Sequence, residues 1–153
     1  MEQREEVEIF TDGACRGNPG PGGWCAVLRH GSSEKILAGG ETRTTNNRME
    51  LTAPLQALLA LKRPCGVRVV SDSRYVVDGM TQWVKGWIRR GWRRAGNKRV
   101  ENVDLWKALV EAAADHDVQW IWVRGHAGHP ENERCDRIAN EEIDKLPGGG
   151  PAS

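Results

Sequence analysis

At 153 residues, 39% of them hydrophobic and 28% charged, the chain suits one domain large enough to bury a core without disulfide or metal staples. A net charge of +1 gives no argument for a polyanionic partner, and no run approaches the roughly 18 apolar residues that span a bilayer. The charged start MEQREEVE is not a signal peptide, so a soluble, cytoplasmic protein that makes no membrane contact is expected.

The folded domain is expected over residues 1–146, with packing from about residue 5. The final PGGGPAS, residues 147–153, has nothing to bury and is expected to be disordered. Cys15, Cys25, Cys65 and Cys135 form no C-x-x-C pair and no zinc spacing, which favours reduced thiols acting as small buried hydrophobes.

Val7, Ile9 and Thr11 alternate with Glu8, Phe10 and Asp12, a period of two that predicts a strand ending on Asp12. The glycines and prolines that follow allow an Asp-Gly turn or a phosphate-cradling loop. Neither nucleotide fingerprint is present: no Lys-Ser/Thr follows the glycines, and the third glycine of G-x-G-x-x-G is missing. Residues 23–29 and 34–40 flank His30-Gly31-Ser32-Ser33 and read as a hairpin with a four-residue link.

Thr44 or Thr45 can cap a largely apolar, buried helix that carries Glu50 and ends near Pro64. Pro54 removes the N–H that would bond the Glu50 carbonyl, so a bend or irregular turn is expected there. Residues 67–71 form a short β-branched strand that leads into Asp72, and helices are expected from Ser73 to about Met80 and from Thr81 to about Arg90. Gly91 and Gly96 break that pattern. Asn102 looks like the cap of another helix, residues 118–124 are the last strand, and a final helix covers about residues 131–145.

This order predicts an α/β fold: a mixed five-stranded sheet flanked by helices, its early strands antiparallel and the helix-separated strands parallel to the first. Between Thr81 and Val100 lie seven basic residues and no acid. Because the whole chain is +1 and this stretch is +7, the remainder carries −6: a basic lobe on an acidic body.

Ligands bind open α/β sheets beyond the carboxyl ends of parallel strands, where Asp12 and Asp72 are expected. Glu50, on the buried helix, and Asp136, opening the last one, can join them. Like charges at about 4 Å repel by roughly 4 kcal/mol at an effective dielectric near 20, so such a cluster requires cations. Oxygen ligands favour Mg2+ or Mn2+, and two ions about 4 Å apart can flank a phosphodiester.

DGACRGNPGPGGW, TTNNRMEL, SDSRYV, TQWVKGW with its basic continuation, and VRGHAGHPENERCD resemble, in order, the motifs of bacterial type I ribonuclease H. The resemblance covers about residues 7–146 and implies that family's fold and an endonuclease that hydrolyses the RNA strand of RNA–DNA hybrids, leaving 5′-phosphate and 3′-hydroxyl ends. It puts metal ligands at Asp12, Glu50, Asp72 and Asp136, all catalytic. His126 is implied to assist proton transfer or product release. His129 is expected only to shape its loop.

The same resemblance implies minor-groove contacts from the Cys15 backbone, Asn46 and Asn47, and a DNA-phosphate pocket from Asn18 and Thr45. Trp83, Lys85, Trp87, Arg89 and Arg90 would hold the hybrid, though tryptophans at this spacing are equally suited to packing. Arg74 stands where bacterial relatives commonly carry glutamine, which puts that substrate contact in doubt. Rival readings are a DNA-cutting nuclease of the same superfamily and a non-catalytic hybrid-binding module. A monomer is expected.

Overall fold

The structure, a computed structural model, describes residues 5–125 and 129–147. Strands β1 (Glu5–Cys15), β2 (Gly20–His30) and β3 (Ser33–Thr44) form an antiparallel meander, followed by helix α1 (Asn46–Leu59) and strand β4 (Cys65–Ser71). A continuous helical stretch comes next: α2 (Arg74–Asp78), one π-helical turn (Gly79–Trp83) and α3 (Val84–Arg89). Two short strands, β5 (Arg93–Arg94) and β6 (Lys98–Arg99), precede α4 (Val103–Ala113), β7 (Asp117–Trp122) and α5 (Pro130–Asp144). The main sheet has the order β3-β2-β1-β4-β7, with β4 parallel to β1 and β7 parallel to β4. The expected mixed five-stranded sheet is the one found.

Alternation along the strands divides the core between the two faces of the sheet. Val7, Ile9, Val67 and Val69 pack with Leu51, Leu55 and Leu58 of α1 and Trp106 and Leu109 of α4. Phe10, Cys25, Val27 and Val70 pack with Cys135 and Ala139 of α5. All four cysteines are free thiols; Cys25, Cys65 and Cys135 are buried and Cys15 is half-buried. Among the described residues no helix is long and apolar enough to cross a membrane.

Several boundaries differ from expectation. β1 does not stop at Asp12: it continues through Cys15, pairing Asp12 with Cys25 and Gly13 with Trp24. What ends there is the parallel ladder with β4, whose last partners are Thr11 and Ser71. The glycines after Asp12 thus enter a strand pair, because Gly22 and Gly23 face Cys15 and Ala14 across it. β3 runs on to Thr44, and the hairpin link is shortened to Gly31-Ser32, with Gly31 at φ +59°.

No irregular turn interrupts α1 at Pro54. The helix is continuous from Asn46 to Leu59, and it stops short of Pro64. Pro54 is itself buried beside Ala53 and Leu55, so packing of the apolar helix holds the backbone despite the missing N–H. Asn102 does occupy the cap position of α4, but in a left-handed conformation (φ 57°) and without a side-chain capping bond. Its amide instead donates to the Tyr75 hydroxyl and accepts from Arg48.

Candidate active site

Three carboxylates meet where the β1–β4 ladder ends. Asp12, only 3% exposed, projects from β1 and accepts a hydrogen bond from the Gly13 N–H at 2.9 Å. Glu50, 6% exposed, comes from the first turns of α1, whose start is fixed by the Thr45 hydroxyl accepting from Arg48 N. Gly13 permits this approach: a Cβ there would stand 2.5 Å from the Glu50 backbone nitrogen. Asp72 follows the last residue of β4. The turn is held by Ser71 Oγ accepting from Ser73 N (3.0 Å), and by Ser73 Oγ, which caps α2 by accepting from Val76 N (3.3 Å).

One oxygen from each of Asp12, Glu50 and Asp72 lies within 4.8 Å of the others. Asp136 lies near enough to Asp12 for its charge to act on that carboxyl, but outside this group of three oxygens. It lies within the second turn of α5 instead of opening the helix, and Asn140 Nδ2 donates to its carbonyl at 2.9 Å and to Oδ1 at 3.4 Å. His126 lies outside the described residues. His129, expected only to shape its loop, caps α5, its Nδ1 accepting from Asn132 N.

The electrostatics follow from this crowding. Burial, then the charges of Asp72 and Asp136, push the Asp12 carboxyl from its ordinary 3.8 up to about 8. Burial, then Asp12 and Asp72, raise Glu50 well above the usual carboxylate range. Glu50 Oε2 is buried with no hydrogen-bond partner among the described residues. An unsatisfied buried carboxylate oxygen is costly, and a cation among all-oxygen donors removes that cost. The donor set therefore fits a hard divalent ion, for which bonds of about 2.1 Å are typical.

The residues expected at the minor groove and phosphate pocket also converge. Asn18, in the turn after β1, accepts from the Asn46 N–H at 3.0 Å, tying that turn to the start of α1 beside Thr45 and the exposed Asn47. Cys15 Sγ donates to the Gly17 carbonyl at 2.8 Å and lies 3.4 Å from the Thr44 carbonyl. In the lobe, Lys85, Arg89 and Arg90 are exposed, and Trp83 is 38% exposed. Trp87 is turned inward, edge-on to the fully buried Trp106 at 5.3 Å and beside Trp83 and Trp92.

Two residues near the carboxylates carry no sequence signal beyond belonging to a strand or a loop. Trp122, at the end of β7, donates from Nε1 to the Asp72 carbonyl at 3.0 Å. Gly125 leaves room for the Asp72 side chain: a Cβ at Gly125 would lie 2.9 Å from Asp72 Oδ2. Only the register of Ser71 with Trp122 brings these residues together.

The RNase H family model matches residues 4–144 of this chain. A ribonuclease H of Halorhodospira halophila is 63% identical over 95% of this chain and 97% of its own length. Another, from Hydrogenovibrio crunogenus, is 59% identical over 94% of this chain and 99% of its own. Among solved structures, a type 1 RNase H with the type 2 active-site motif superposes with a TM-score of 0.85 at 34% identity, covering 98% of this chain and 78% of that one. With its fold, its carboxylate cluster and these relatives in agreement, the chain belongs to the ribonuclease H family.

Proposed function

We propose that this protein is a Mg2+-dependent endonuclease that hydrolyses the RNA strand of RNA–DNA hybrids, with Mn2+ as a possible substitute. The observation that carries this reading is the group formed by buried Asp12 and Glu50 with half-buried Asp72, with Glu50 Oε2 lacking a hydrogen-bond partner among the described residues. Relatives at 63% and 59% identity are named ribonuclease H, which supports the activity.

Asp12, Glu50 and Asp72 would hold the metal, with Asp136 completing the set beside Asp12 and making room for a second ion. A bound divalent ion supplies Lewis acidity, offsetting charge on the attacked phosphate and making water a competent nucleophile near neutral pH. The P–O3′ bond breaks as the water oxygen bonds to phosphorus, leaving a 5′-phosphate and a 3′-hydroxyl. His126 is the candidate for moving a proton or releasing product.

The backbone at Cys15, with Asn46 and Asn47, is proposed to lie along the minor groove, where 2′-hydroxyls distinguish RNA from DNA. Asn18 and Thr45 are proposed to bind a DNA phosphate. Trp83 and the charges Lys85, Arg89 and Arg90 face the hybrid, while Trp87 supports Trp83 from beneath. The working unit is a single-domain monomer in the cytoplasm, with its basic lobe at about residues 81–100.

The test is one labelled sequence prepared as RNA–DNA, RNA–RNA and DNA–DNA duplexes and incubated with and without Mg2+. Cleavage confined to the RNA of the hybrid, and only with Mg2+, is expected. Equal cleavage of duplex DNA would refute the substrate assignment.

A further inference from the structure

The loop that presents Asp72 is clasped from one direction. Trp122 pairs with Ser71 at the end of the parallel β4–β7 ladder, and Val123 N donates to the Ser71 carbonyl at 2.9 Å. The Trp122 side chain reaches one residue further and donates from Nε1 to the Asp72 carbonyl at 3.0 Å. The exposed first residue of α2, Arg74, then returns over the same indole, with its guanidinium carbon 3.9 Å from the ring centroid.

A guanidinium at that distance makes a cation–π contact and covers one face of the ring. Trp122 is thus held from above by Arg74 and holds Asp72 through its N–H. The Asp72 carboxylate, for its part, lies against Gly125, where a Cβ would approach Oδ2 to 2.9 Å. The last residue of β7 thus holds the Asp72 carbonyl, and Gly125 just beyond it leaves room for the carboxylate.

We infer that Arg74 and Trp122 are positioning residues for Asp72: the Arg74 guanidinium braces the Trp122 indole, which fixes the Asp72 backbone so that its carboxylate meets those of Asp12 and Glu50. This rests on the proposed metal-binding role of Asp72. Arg74 acts through the stack of its planar guanidinium on the indole as well as through its charge. Lysine, a compact, strongly hydrated point charge, cannot reproduce the stack.

The experiment titrates Mn2+ alone into the substrate-free protein by calorimetry, with Asp12→Asn identifying the isotherm of the carboxylate site. Arg74→Ala and Arg74→Lys should each weaken Mn2+ by about two- to fivefold, the worth of an exposed cation–π contact. Trp122→Phe, which keeps an aromatic face but loses the N–H, should weaken it by about two- to tenfold. Combining Arg74→Ala with Trp122→Phe should cost less than the sum of the single changes, because both act through one carbonyl.

On hybrid, the same variants should lower kcat at limiting metal, recover it at high metal, and leave KM for the hybrid unchanged. Wild-type Mn2+ affinity in Trp122→Phe overturns the inference. So does an Arg74→Lys variant that binds Mn2+ like wild type while Arg74→Ala raises KM and flattens the salt dependence, which makes Arg74 a direct nucleic-acid contact. If the unaltered protein binds Mn2+ but leaves hybrid uncut, the proposed function fails, while the metal affinities still decide the positioning role.

Discussion

Gly13 and Glu50 meet backbone to backbone: a Cβ on Gly13 would stand 2.5 Å from both the Glu50 nitrogen and the Met49 carbonyl carbon. This close approach lets α1 lay Glu50 beside Asp12, the residue preceding Gly13 on β1. A methyl group would push the helix away. Gly13→Ala is expected to destabilise the fold by about 1–3 kcal/mol through overpacking. It should also weaken Mg2+ binding and slow hybrid cleavage. Denaturant unfolding and Mg2+ titration check this together; wild-type values for both would show that the approach is dispensable.

Burial and the neighbouring Asp72 and Asp136 raise Asp12 to about 8 from an ordinary 3.8. The folded state therefore keeps a proton that the unfolded chain releases, so stability falls as pH rises from about 4 to about 8 and levels off above that. Asp12→Asn carries no such charge. In the absence of metal it should melt at a higher temperature than the unaltered protein near pH 8, with a shallower pH profile. Mg2+ should restore stability to the unaltered protein more than to the variant. A lower melting temperature for Asp12→Asn near pH 8 would argue against the repulsion.

Tyr75 ties α2 to α4 through its hydroxyl, which accepts from the Trp106 indole at 3.0 Å and from Asn102 Nδ2 at 3.1 Å. Trp106 is fully buried, so its N–H has no alternative in water. Tyr75→Phe should cost about 1–3 kcal/mol, the penalty of an orphaned buried donor. An unchanged denaturation midpoint would contradict this.

For the basic lobe, about four phosphate contacts would weaken hybrid binding roughly 100-fold between 50 and 200 mM salt. Replacing Lys85, Arg89 and Arg90 together by alanine should flatten that dependence. A salt response that is already flat in the unaltered protein would exclude the lobe from binding.

Much of the fold was legible because its signals are local. The period-two alternation of Val7, Ile9 and Thr11 and the apolar run at residues 67–71 identified the central strands, and helix-separated strands implied the parallel pairings. The carboxylates were legible because Asp12 and Asp72 each mark the end of a parallel ladder. Illegible features depend on tertiary packing. Pro54 reads as a helix breaker, yet the buried face of α1 overrides it. The glycines after Asp12 read as a loop, but they permit a strand pair and the approach of α1. Trp122 reads as one more strand aromatic, and its bond to the Asp72 carbonyl exists only across 50 residues of chain.

The most direct measurement is single-turnover cleavage of a pre-bound RNA–DNA hybrid by Asp12→Asn in Mg2+, with hybrid affinity measured on the same preparation. Affinity near that of the unaltered protein and a cleavage rate reduced by about a hundredfold or more are expected, because the variant lacks a central carboxylate but keeps the lobe and groove. Cleavage at the unaltered rate would contradict the assignment of Asp12, Glu50 and Asp72 as the catalytic metal site.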